Sequence, residues 1–133
     1  MAQLRLPRSA RLLRPADFRA PRDSRQRLTT RNFVAEFWPA PAQTPRLGMA
    51  VSRRVSKRAV VRNRVRRQIR ESFRLHRNSL RNVDILVIAR IQAASLDNTA
   101  LREDLIYIWR KLTKPNEQTL KPNDMSGTMR ADV

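Results

Sequence analysis

Apolar residues recur along this chain in three short runs and two helical stripes, and their spacing predicts most of the secondary structure. Phe33-Val34-Ala35-Glu36-Phe37-Trp38 alternates with period two, so Phe33, Ala35 and Phe37 share one face of a strand while Val34, Glu36 and Trp38 share the other. The Pro-Ala-Pro-Ala-Gln-Thr-Pro stretch that follows is a connection, because proline cannot sustain a ladder. Leu47-Gly48-Met49-Ala50-Val51 reads as a second strand with Leu47, Met49 and Val51 turned inward. Its closeness in sequence to the first suggests an antiparallel pair. Residues 57–77 carry the longest helical pattern. Val83 to Ala89 is a β-branched run of the kind found in strands buried on both faces.

A last helix follows, capped by Asp97, Asn98 or Thr99. Its acidic residues, Glu103 and Asp104, come early and its basic residues, Arg110 and Lys111, come late, as the helix dipole prefers. Leu101, Leu105, Ile108 and Leu112 form its buried stripe, with Trp109 beside it. Ahead of the strands, residues 1–14 read as an extended basic arm. Pro15 can open a short helix through Phe18 that stops near Pro21. The polar stretch 22–31 reads as loop. The chain therefore divides into an arm at 1–14, one domain at 15–112 and a polar, proline-interrupted tail at 113–133.

Charge changes the picture most. The 133 residues hold 29 Lys and Arg against 11 Asp and Glu, a net charge of +18, with arginine far ahead of lysine. Solubility needs a magnitude of only about 2–8 in a small domain. The excess therefore points to a polyanion, and the guanidinium's planar fork suits phosphates and bases. The basic residues concentrate on the long helix and its approach: Arg53, Arg54, Lys57, Arg58, Arg62, Arg64, Arg66, Arg67, Arg70 and Arg74, opposed only by Glu71. At about 100° per residue, Val61, Val65, Ile69 and Phe73 span a stripe of roughly 120°. Asn63, Arg66, Arg67, Arg70 and Arg74 fall on the far side, with Arg62 at the boundary. Ordinary solvated helix faces mix signs to gain i,i+4 pairs. Here Arg62, Arg66, Arg70 and Arg74 stack like charges, which an external anion would relieve. A membrane surface would need the apolar stripe free, yet β-type segments flank it on both sides.

Other chemistries find little support. The chain has no cysteine and one histidine, His76, which reads as a surface or packing residue. The carboxylates are scattered, with no spacing that suggests a metal pair. There is no glycine-rich phosphate loop, and no catalytic residue is predicted. No apolar run approaches the ~18 residues of a membrane span. An arginine-rich start could serve a mitochondrial transit peptide, but Pro7, Pro15 and Asp17 argue against it, and the cytoplasm is the expected location. A basic-region DNA reader would continue into dimerising heptads where this chain has the Val83 run, so DNA is not the expected partner. A ribosomal or other structural RNA binder remains an alternative that composition alone does not exclude.

Arg62-Asn63-Arg64-Val65-Arg66-Arg67-Gln68-Ile69-Arg70-Glu71-Ser72-Phe73-Arg74 resembles the characteristic helix of the bacterial ribonuclease P protein family. Gly48 to Arg54 is similar to the strand leading into that helix. Val83 to Arg90 resembles the strand after it, Leu96 to Arg110 the last helix, and Arg11 to Phe18 the opening segment. The likeness runs in order over about residues 5–112. It implies an α/β sandwich of ribosomal-protein type: one domain, a central mixed sheet packed by helices, and a left-handed βαβ crossover. Sequence rules alone would favour the right-handed crossover.

The resemblance also implies a function. The chain would bind the catalytic ribonuclease P RNA and the 5′ leader of precursor tRNA in a complex with one RNA subunit. Cleavage and the Mg²⁺ it uses would belong to the RNA, and no cofactor would be held by protein ligands. The RNA-facing set would be Arg53, Arg54, Lys57, Arg58, Arg62, Asn63, Arg64, Arg66, Arg67, Arg70 and Arg74. Phe18, Arg14, Val34 and Glu36 would line the leader cleft. The chain departs from the family pattern at Arg22 and Glu36, where some relatives carry aromatics, and a carboxylate at position 36 would be expected to repel the leader's phosphates.

Overall fold

The computed structural model describes residues 6–12 and 24–114, and the Pro15 helix, Arg14, Phe18 and Arg22 lie outside them. Four strands form one mixed sheet: β1 (Gln26–Thr29), β2 (Phe33–Pro39), β3 (Arg46–Ala50) and β4 (Val83–Ala89), in the order β1-β2-β4-β3. Two helices complete the domain, α1 (Ala59–His76) and α2 (Asn98–Lys111). The sheet is antiparallel between β1 and β2 and between β2 and β4, and parallel between β3 and β4. Helix α1 is thus the crossover of a β3-α1-β4 unit, as the resemblance implies.

Two sequence expectations fail here. Segments 33–38 and 47–51 do not pair with each other, because β4 inserts between β2 and β3. Its seven residues match the full length of β2 and five positions of β3, burying more apolar surface than the proline-broken hairpin could. The stretch 22–31 is not all loop: Gln26–Thr29 is the edge strand β1, with Arg27 opposite Glu36 and Leu28 opposite Ala35. Only Leu28 of β1 is buried, so the strand carries almost no apolar alternation.

One face of the sheet carries the core. Phe33, Ala35 and Phe37 of β2, Ile85 and Val87 of β4, and Leu47 of β3 join Val65, Ile69 and Phe73 of α1 and Leu101, Leu105, Ile108 and Trp109 of α2 in one buried cluster. The helices lock to each other through Trp109, whose Nε1–H donates to Ser72 Oγ at 2.7 Å and whose ring meets Phe73 edge-on at 5.6 Å. A polar Ser72 on the apolar side of α1 is thereby satisfied rather than stranded. His76 Nδ1 lies 2.8 Å from Ser72 O on the same helix, a packing role. Asp97 caps α2 by accepting from Ala100 N–H at 2.8 Å.

The other face is not fully covered by the described residues. Val34 and Glu36 of β2 and Leu86 and Ile88 of β4 are half-buried, so the expectation that β4 is buried on both faces holds throughout its inner side and on the outer side only at Asp84. The described part of the predicted arm is docked. Leu6, Ala10 and Leu12 are buried, Arg8–Ala10 makes a 3-10 turn, and Leu12 N–H donates to Leu47 O at 2.8 Å, covering the β3 edge.

Two buried polar clusters fix the sheet's corners. Arg46 and Asp84 face each other across the β3–β4 pair, and their fork contact is bidentate at 2.8 and 2.7 Å. Asp104 of α2 accepts at one oxygen from Thr30 Oγ1, Asn32 N and Asn32 Nδ2 at 2.8–3.0 Å, tying the β1–β2 turn to the helix.

Candidate nucleic-acid interface

Helix α1 begins at Ala59 and ends at His76, one to two residues inside the predicted span. Val65, Ile69 and Phe73 are fully buried as predicted, Val61 is only half-buried, and Ser72 joins the buried side. Arg58 precedes the helix with extended backbone and no side-chain cap, and the first turn contains no acid. The positive end of the helix dipole therefore stands uncompensated beside Arg53, Arg54, Lys57 and Arg58, all exposed. Small turns rather than carboxylates shape this approach. Ser52 accepts from Arg54 N–H, and Ser56 from Arg58 N–H.

The arginines of α1 split into two groups that a helical wheel cannot separate. Arg62, Arg64 and Arg66 reach back to their own protein. Arg62 Nη1 donates to Ser56 O and Lys57 O at 2.9 and 3.0 Å, bracing the loop before the helix. Arg64 donates to Ala94 O at 3.1 Å and to Asn98 Oδ1 at 2.9 Å, clamping α1 to the start of α2. Arg66 donates to Val51 O at 3.2 Å and to Asn63 Oδ1 at 3.0 Å. Asn63 thus orients a guanidinium on the face that both residues share.

Arg67 is exposed and Arg70 half-buried, and neither makes a hydrogen bond to a described residue. Of the ten predicted cations, only Arg74 is ion-paired among the described residues, to Glu71 at 2.8 Å. A helix backed by a packed core and flanked by a basic loop thus holds nine positive groups with no carboxylate partner among the described residues. A chain with such a surface binds anions spaced along a polymer better than a single small one, because each charge sits at its own fixed position.

Comparison with known proteins assigns the family. Residues 6–113 match the family model described as Ribonuclease P. The chain belongs to the ribonuclease P protein family. The ribonuclease P protein component of Idiomarina loihiensis is 51% identical over 74 residues, 56% of this chain and 59% of that one. That of Stutzerimonas stutzeri is 37% identical over 123 residues, covering 91% of this chain and 94% of the relative. The solved structure of the Staphylococcus aureus RNase P protein aligns with a TM-score of 0.69 at 29% identity, over 76% of this chain and 93% of that one. The mixed four-stranded sheet with two helices is therefore the family's fold.

The residues predicted for the leader cleft are only partly described. Phe18 and Arg14 fall outside, while Val34 and Glu36 both lie on the open face of the sheet, on β2. Glu36 does not stand there as an isolated negative charge. Arg27 Nη2 reaches its Oε2 at 2.7 Å and Arg25 Nη1 its Oε1 at 3.6 Å. The expected repulsion of phosphates is offset by two cations from β1 and its approach. Those two arginines were missed because the segment read as loop. The available signal was the alternation Arg25-Gln26-Arg27-Leu28, which puts both cations on the side opposite the buried leucine.

Among the described residues, no three His, Cys, Asp or Glu side chains come together to hold a metal ion. No helix among them is long and apolar enough to cross a membrane.

Proposed function

We propose that this chain is the protein component of ribonuclease P, seating the RNA subunit on α1 and its basic approach and laying the 5′ leader of precursor tRNA along the open face of the sheet. The observation that carries this reading is the set of nine cations on α1 and its approach that have no carboxylate partner among the described residues, in a chain whose family is established by residues 6–113. In this reading the protein supplies charge and shape. The RNA subunit, with Mg²⁺, cuts the phosphodiester bond, and the substrate is precursor tRNA. Arg53, Arg54, Lys57, Arg58, Arg67 and Arg70 contact phosphates directly. Arg62, Arg64 and Arg66 contribute their remaining donors while holding the surface in shape. The basic protein also lowers the Mg²⁺ needed, because guanidiniums replace part of the ion atmosphere that folded RNA requires.

The test is reconstitution of the purified chain with a bacterial ribonuclease P RNA and precursor tRNA at low Mg²⁺. The expected result is faster release of the leader when the protein is present. An unchanged rate would refute the reading and leave a purely structural RNA binder, the alternative that no feature of the fold favours.

A further inference from the structure

A carboxylate on the RNA-facing side of a chain with net charge +18 calls for a reason. Glu36 sits on β2 with its side chain 12% exposed, whereas Arg25 and Arg27 beside it are 36% and 64% exposed. The negative group is the sheltered member of the cluster, and the positive groups are the accessible ones. Arg27 lies directly opposite Glu36 in the β1–β2 register. Arg25, two residues earlier on the same side of the chain, places its guanidinium 4.8 Å above the ring centre of Trp38. Trp38 is two residues beyond Glu36 on β2 and is itself buried. One carboxylate therefore touches two guanidiniums, one of which lies over an aromatic ring.

Left alone, Arg25 and Arg27 would be two like charges on alternate residues at an edge strand, each on a long flexible stem. Glu36 removes that repulsion and gives both a shared anchor. The Arg27 contact uses one nitrogen, Nη2, of a guanidinium that carries five N–H donors.

We infer that Glu36 is a positioning residue for single-stranded RNA on the open face. It holds Arg25 over Trp38, so that the guanidinium offers a flat outer surface to a base, and it holds Arg27 beside it to receive the adjoining phosphate. The ligand is an unpaired RNA strand, since a paired base has no face to offer. The inference rests on the reading that the open face takes the leader. It deepens that reading by making the acid at position 36 an aid to binding rather than a defect.

The sign of one substitution decides the matter. If Glu36 acted only as a negative charge near phosphates, Glu36→Gln would tighten leader binding. If it positions Arg25 and Arg27, Glu36→Gln weakens it, by roughly fivefold, the scale of one ordered phosphate or stacking contact.

The experiment uses holoenzyme reconstituted from the full chain and a bacterial ribonuclease P RNA. It measures Kd for precursor tRNA with a leader of about eight nucleotides (longer than the ~4 nucleotides a small single-strand site covers) and for the leaderless tRNA. Wild-type protein and E36Q are compared, each with and without Arg25→Ala and Arg27→Ala together. The expected result is weaker binding of the leader-bearing RNA by E36Q, unchanged leaderless binding, and no effect of E36Q once both arginines are gone. Wild-type protein that gives the leader no advantage would overturn the leader reading itself. A leader advantage that E36Q leaves intact or enlarges would overturn the positioning role alone. An equal loss for both RNAs, or one that persists without the arginines, would assign Glu36 to the fold instead.

Discussion

Arg64 and Arg67 lie three residues apart on one helix, yet the structure gives them opposite expected phenotypes. Arg64 makes two hydrogen bonds, to Ala94 O and Asn98 Oδ1, from a half-buried position. A charged donor in a buried bond is worth about 1.5–3 kcal/mol, and partial exposure reduces this, so Arg64→Ala should cost about 1–2 kcal/mol in total. In a domain of roughly this size each kcal/mol moves the midpoint by about 4–8 °C, which puts the drop at about 4–16 °C. Arg67 is exposed without a hydrogen bond to the described residues, so Arg67→Ala should shift the midpoint by no more than about 2 °C, as surface substitutions do. RNA binding should order them the other way. One lost phosphate contact reduces the slope of log affinity against log salt by about 0.7–0.9, a factor of about 5–8 at 0.1 M salt. Arg67→Ala should show that full loss. Arg64→Ala should show a smaller one, because its guanidinium is committed to the α1–α2 junction. Calorimetric melting of each free protein and salt-titrated binding to ribonuclease P RNA give the two axes. Equal melting losses, or an unchanged salt slope for Arg67→Ala, would refute the division of the α1 arginines into braces and contacts.

Three further outcomes are expected. For the wild-type chain, about six phosphate contacts should give a salt slope of roughly −4 to −5 on the cognate RNA, and a slope near −1 would remove the electrostatic argument. Arg46→Met should destabilise the domain by about 3–5 kcal/mol in denaturant titration, because the Asp84 side chain, 1% exposed, would be left without its fork partner. Asp104→Asn should replace an acceptor of three hydrogen bonds with a poorer one, costing about 1–3 kcal/mol. It should also speed amide exchange at Asn32 and Phe33 more than at β4, whereas uniform exchange across the domain would show that the β1–β2 turn is not held locally.

The elements with strong periodicity were legible in the sequence: the faces of β2, the buried stripe of α1 and that of α2 with Trp109. Pairing was not, because β4's preference for the centre depends on comparing lengths and apolar content among strands far apart in the chain. β1 was hidden for a related reason. An edge strand with one buried residue shows almost no apolar alternation, only the alternate placing of Arg25 and Arg27, and its identity comes from the partner it lies against. At the candidate interface, the charges and the helix face were legible. The destination of each guanidinium was not, since a wheel fixes the direction of Cβ while an arginine head lies several bonds further on. Arg64 and Arg66 leave the helix as surface residues and end as clamps. A carboxylate inside an otherwise apolar strand requires a buried cation, and Arg46 is the basic residue that opens the neighbouring strand.

The position of β4 governs how the domain can be made. It is the last strand among the described residues and lies at the centre of the sheet, pairing on both sides with strands synthesised well before it. Until Ala89 has been added, the described elements at hand are the β1–β2 hairpin, marginal by itself, the bridge that ties Arg11 to Leu47 of β3, and an α1 whose Val65, Ile69 and Phe73 lack the centre of the sheet to rest on. Assembly must therefore wait and then occur in one late, cooperative step, with its contacts spanning long stretches of chain. During that wait the exposed stripe invites association between unfinished chains. The like charges crowded along α1 repel one another between chains as well as within one, which opposes that association.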